Sequence, residues 1–144
     1  MTLSSFLPLL GLLLAPQPAS DSSEGATIVV RVGNFENDDG KLGCRLFSRA
    51  SAFPDGSGQS KTASINGSSG TCTFRNVEPG TYAIAAIHDE NGNGVLDKNM
   101  FGVPKEGYGV SFNNTYALSA PEWDESSFSV DEGERRTFNI RLRY

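Results

Sequence analysis

Thr81-Tyr82-Ala83-Ile84-Ala85-Ala86-Ile87 is the stretch that decides the fold. In an extended chain Tyr82, Ile84 and Ala86 share one face, while Ala83, Ala85 and Ile87 share the other. A strand apolar on both faces belongs in the middle of a sheet, covered on both sides. Just before it, Val77-Glu78-Pro79-Gly80 places Pro and Gly where a type II turn wants them. Further back, Thr71-Cys72-Thr73-Phe74-Arg75 alternates in the same way.

Working outward, residues 27–34 are dense in β-branched side chains and read as a first strand. Asn37-Asp38-Asp39-Gly40 follows as a turn, with Asp-Gly a strong hairpin signal. Residues 41–47 put Leu42, Cys44 and Leu46 on one face, a second strand. Residues 51–60 carry Pro54-Asp55-Gly56 and read as a loop, and residues 61–65 as a short strand. Residues 127–130 make another strand. The last, 137–144, sends Phe138, Ile140, Leu142 and Tyr144 inward and Arg141 and Arg143 outward. No amphipathic helix of useful length occurs among them. The expectation is an all-β chain: a single antiparallel β-sandwich of about seven strands, with a long ordered loop after the central strand.

That loop carries the chemistry. His88-Asp-Glu-Asn-Gly-Asn-Gly-Val-Leu-Asp97 places oxygen-bearing side chains at alternate positions, with Gly94 at the sharp turn. A hard cation needs six to eight oxygens, and a coiled loop offers them from every second residue. Asp89, Asn91 and Asn93 fall at positions 1, 3 and 5. Val95 offers its backbone carbonyl at 7, and Asp97 stands at 9. Position 12 is Met100, not an acid, so a remote carboxylate must finish the shell. Glu106 is the first candidate and Glu90 the second. The expected cofactor is Ca²⁺ in a structural role, bound weakly, on the order of 10⁻⁴ to 10⁻³ M. The competing reading is a metal-free hairpin in which Asx turns satisfy the backbone.

Other chemistry is thinner. His88 is the sole histidine, beside Asp89, but no nucleophile motif accompanies it, so no catalytic residue is assigned. Copper through His88 and Met100 would have only two suitable ligands. Tyr108, Phe112, Tyr116 and Trp123 are candidates for an aromatic surface that binds sugar or peptide, of which Tyr108 and Trp123 lead. The alternative is that these rings belong to ordinary core.

Bulk properties set the compartment and the partners. With 144 residues, one domain can bury a proper core. The formal net charge is -5 and no basic patch stands against it, which argues against nucleic acid as a partner. Residues 4–15 form an apolar run too short to span a bilayer comfortably, followed by small and polar residues. They read as a secretory signal. Residues 1–20 are thus expected to be a signal peptide, 21–26 a linker and 27–144 the sandwich domain. The mature chain would be secreted or periplasmic, with no membrane span, and its ligand an unknown extracellular or periplasmic one. Cys44 and Cys72 suit that compartment as a disulfide, free buried thiols being the alternative.

HDENGNGVLD, FGVPKEGYG with the asparagine pair Asn113-Asn114, APEWDESSFSV and the final IRLRY together resemble a known family. It is an uncharacterised family of secreted, mostly bacterial proteins catalogued as domain of unknown function 2141. The resemblance covers residues 27–144. Here the stretch after GYG has one residue more than the family's pattern. Phe74-Arg75-Asn76-Val77-Glu78-Pro79-Gly80-Thr81-Tyr82 is also similar to a strand junction of transthyretin-like and collagen-adhesin B-type sandwiches. Both resemblances imply an immunoglobulin- or transthyretin-like sandwich and no particular activity, and the first also implies an exported protein.

Overall fold

The structure is a computed structural model that describes residue 11, residues 13–16 and residues 24–144. The expected signal peptide therefore lies mostly outside the described residues. Eight strands follow in order: β1 (Ala26–Gly33), β2 (Lys41–Phe47), β3 (Gln59–Ala63), β4 (Ser69–Val77), β5 (Gly80–Asp89), β6 (Tyr108–Val110), β7 (Phe128–Val130) and β8 (Arg135–Arg141). They form two sheets, β4-β1-β8 and β3-β2-β5-β6, with β7 joined to the start of β5. The inward faces pack into one core, in which Ile28, Val30, Leu42, Leu46, Phe74 and Ile84 are almost wholly buried. The sandwich class expected from the alternation is the one observed.

β5 is the centre of its sheet. β2 runs antiparallel to residues 83–89, β6 to residues 85–87 and β7 to residues 80–82. Between the stretches paired by β7 and β6, the Ile84 N–H donates to the buried Ser111 Oγ at 3.1 Å, so that donor is not left open. Tyr82, Ile84, Ala86 and His88 face the core. Ala83, Ala85 and Ile87 face outward, and the outer face is covered at one end only. There Phe47, cross-strand from Ala83, meets Phe53 edge-on at 5.4 Å, and Phe53 meets Trp123 at 6.1 Å. Trp123 opens a single helical turn, α1 (Trp123–Ser126).

Four local expectations give way. The sandwich is not purely antiparallel: β1 and β8 are parallel, Val30 opposite Phe138 and Val32 opposite Ile140. Both strands then point the same apolar set at the core. The Asn37–Gly40 stretch is a turn but no hairpin, because β1 and β2 lie in different sheets. It crosses the end of the sandwich instead, and the Asp38 carboxylate accepts the Gly67 and Ser68 N–H groups, both at 2.9 Å. Val77-Glu78-Pro79-Gly80 is no type II turn either, since Gly80 is extended while Asn76 takes positive φ (54°). The corner is closed by the Tyr82 hydroxyl donating to the Glu78 carbonyl at 2.7 Å, the tyrosine-corner device of sandwich folds. Finally, Tyr108–Val110 forms a strand inside what the sequence presents as the long loop after the central strand.

The disulfide joins Cys44 of β2 to Cys72 of β4, and so ties one sheet to the other across the core. The Cα atoms are 6.5 Å apart, within the usual span for such a bond.

Candidate functional site

The chain leaves β5 at Asp89 and re-enters the sheet at Tyr108. The 18 residues between are pinched at their root, where the His88 N–H donates to the Gly107 carbonyl at 2.8 Å. Beyond the root they form a finger. Lys105 N donates to Asp97 O, Asn99 N to Val103 O, and Lys98 bridges Pro104, so much of the excursion is a small hairpin. Its tip exposes Met100 (88%) and Phe101 (82%).

The sequence-predicted oxygens gather at the base of the finger. Asp89, 5% exposed, uses its two carboxylate oxygens to accept the Asn93 N–H at 3.1 Å and the Gly94 N–H at 2.9 Å. Asn91 Oδ1 also accepts from Asn93 N, and Asn93 Oδ1 accepts from Val95 N. Gly94 has φ +78°, a conformation that a side chain would strain. The amides of Asn91 and Asn93 both donate to the Asp97 carboxylate, at 2.6 and 3.0 Å. Four of the six expected ligands, Asp89, Asn91, Asn93 and Asp97, are thus in one hydrogen-bonded knot. Val95 lies on the same coil, its N–H bonded to Asn93 and its side chain half-exposed.

Glu106 plays a different part. It is 6% exposed, and its two oxygens accept the Glu90 and Asp97 N–H groups, each at 3.1 Å. Its carboxylate clamps the two ends of the coil through the backbone. Glu90, the second candidate, lies 3.6 Å from His88 Nδ1. Among the described residues no three His, Cys, Asp or Glu side chains gather closely enough to hold a metal. The donors available to an ion are therefore the Asp89 and Asp97 carboxylates with amide and backbone oxygens, a hard set of low charge that fits calcium better than a softer metal.

His88 is fully buried, and both ring nitrogens are engaged. Nε2 lies 2.7 Å from the Asp39 carbonyl and must donate to it; Nδ1 lies 2.8 Å from Tyr144 Oη. That hydroxyl also accepts the Glu36 N–H at 3.1 Å. Phe35 packs edge-on against the ring at 5.1 Å. With both nitrogens committed, His88 has none left for copper, and Met100 stands far out in solvent.

Burial raises the Tyr82 and Tyr144 phenols above the ordinary 10.0, with Glu78 adding to the first and Glu36 and Glu90 to the second. The Glu36 N–H opposes part of the Tyr144 shift. A raised folded value means that the stability these phenols contribute is complete below pH 10.0 and is lost as pH climbs through the folded values. An absorbance titration is expected to show their phenolates forming late, together with a falling denaturant midpoint; Tyr144→Phe should remove one late transition. Titration of all four tyrosines near the ordinary value would contradict this.

The aromatics of residues 108–123 do not make one platform. Trp123 packs against Phe53, outside the lining of the groove described next; Phe112, at φ +64°, lies edge-on to Phe128 and Phe138. The asparagine pair is structural: Asn113 bonds Asn139 O and Arg141 N on β8, and Asn114 bonds Glu125 O. Tyr108 and Tyr116, by contrast, border a groove of about 660 Å³ on the outer face of the larger sheet. Its floor runs across Gly43, Ala85 and Ile87, and its walls are the finger and residues 116–121. Sequence reasoning missed this feature. The available signal was the small, apolar outward set on β5, left without any segment assigned to cover it.

Neither curated proteins nor solved structures provided a match to this chain. A family model did: "Uncharacterized protein conserved in bacteria (DUF2141)" matches residues 30–138, reaching all eight strands, the disulfide and the whole finger. The chain belongs to that family.

Proposed function

We propose that this protein is an exported, non-enzymatic binding module whose 89–97 coil is braced by calcium. One observation carries the ion: Asp89 caps the N–H groups of the fifth and sixth loop positions, so the coil is wound before any cation arrives. Asn91, Asn93 and Asp97 already converge: the two amides donate to the Asp97 carboxylate while their oxygens hold backbone N–H groups, and an ion would take that carboxylate in place of the amide donors. The ion's role is structural, because the coil is the base of the finger. Export is supported by the apolar run at residues 4–15 and by the disulfide, which suits an oxidising compartment. The absence of catalysis is supported by His88, buried and bonded at both nitrogens.

With two carboxylates in the coil, the dissociation constant should be on the order of 10⁻⁴ to 10⁻³ M. At roughly 10 mM calcium, linkage then stabilises the fold by about 1.4–2.7 kcal/mol. Chemical denaturation with calcium and with chelator measures this, and Asp97→Ala should erase the difference. An identical midpoint in both buffers would remove calcium from the reading.

A further inference from the structure

Going beyond the calcium reading, we propose that the groove on the outer face of the larger sheet binds a free amphipathic carboxylate, an elongated apolar body with one anionic head. The concavity is written in small side chains. Across β2 and β5, Gly43 lies opposite Ile87 and Arg45 opposite Ala85, so each cross-strand pair of the floor carries one large side chain and one small one. A Cβ on Gly43 would come within 3.0 Å of Ile87 Cγ1. Phe47, Phe53 and Trp123 cover the neighbouring part of this face, and the coverage stops short of Ala85 and Ile87.

The walls are apolar and unpartnered. Phe101 from the finger is 82% exposed and Leu118 from the opposite segment 94%, and Val95 and Val103 are also open to solvent. Apolar side chains on both sides of an apolar floor need an apolar occupant, and a volume of about 660 Å³ is that of a small-molecule site.

Charge selects the head. The lining holds three cations, Arg45, Lys61 and Lys98, against two carboxylates, Asp55 and Asp89, although the whole chain is acidic. Lys98 is matched by Asp55 at 2.9 Å, and the Asp89 oxygens are taken up by Asn93 and Gly94. Arg45 is half-buried and has only neutral partners, Ser60 Oγ at 3.2 Å and the Gly56 carbonyl at 2.9 Å. Among the described residues its guanidinium has no carboxylate partner, and it can receive one from a ligand. A neutral hydrocarbon would leave that charge unmatched, and a cationic amphiphile would be repelled by it.

Titration calorimetry of the intact domain with monomeric dodecanoate tests the proposal, with dodecanol and anionic vesicles in parallel. Saturable one-to-one uptake of dodecanoate is expected, with dodecanol weaker by about tenfold and Arg45→Gln removing that preference. Ala85→Phe should abolish uptake by filling the floor. Leu118→Glu, at an exposed position that folding does not use, should weaken it independently. No uptake of dodecanoate, equal affinity for dodecanol, or binding confined to vesicles would each overturn the proposal. Running the titrations with calcium and with chelator separates the two readings: failure in both buffers condemns the groove alone, while calcium is judged by the unfolding midpoint.

Discussion

Breaking the Cys44–Cys72 bond is expected to lower stability by about 3–4 kcal/mol, the chain-entropy value for a loop of this length. The bond joins residues 28 apart in sequence, and the segment it closes contains β3, an edge strand exposed along most of its length. β3 adds little buried surface, so the segment depends on its closed ends. The bond also crosses from one sheet to the other, which packing, loops and the paired Tyr108–Arg143 backbone hydrogen bonds otherwise hold together. Both sulfurs sit in the core, each cysteine 2% exposed, so the Cys44→Ala, Cys72→Ala pair also loses packing. Equilibrium unfolding in denaturant reads the difference. A loss below about 1 kcal/mol would show that the cross-link constrains little in the unfolded chain.

Glu106→Ala should cost about 3 kcal/mol and loosen the finger. The carboxylate is 6% exposed and serves two backbone donors, Glu90 N and Asp97 N. Both bonds are part-buried, and each donor left without a partner costs about 1–3 kcal/mol, partly offset by water entry and by no longer burying a charge. Hydrogen exchange makes the test local: the Glu90 and Asp97 amides should lose protection, while the Ile84 amide should keep it. Met100→Ala, at the tip, should change stability by less than about 0.5 kcal/mol. Unaltered protection of both amides in Glu106→Ala would mean that the hairpin bonds alone hold the finger.

The two predictions rest on residues that were legible in the sequence to different degrees. Cys44 and Cys72 stood on alternating strands, and alternation places a side chain on a known face, so an inter-sheet bond was within reach of the sequence. Glu106 could be named only as a carboxylate near the coil. Whether it ligates an ion or clamps a backbone depends on where residues 90 and 97 lie relative to residue 106. That separation is set by the finger's own pairing, of which the sequence carries only weak local signs. The groove was less legible still, because its floor joins β5 to β2, about 40 residues earlier, and no local pattern places the finger and residues 116–121 on either side of it.

Period-two alternation by itself determined most of the strands, though not β6, together with the central place of β5 and the sandwich class, because which face a side chain takes is a local property of extended backbone. The Asx spacing determined the coil at residues 89–97 for the same reason, since its hydrogen bonds span five residues or fewer apart from those to Asp97 and Glu106. Only the tertiary structure decided the parallel pairing of β1 with β8, the burial of His88 against Tyr144 and the opening beside Ala85. Each depends on contacts between residues distant in sequence, where the choice of partner is made by how two sheets and their loops fill space together.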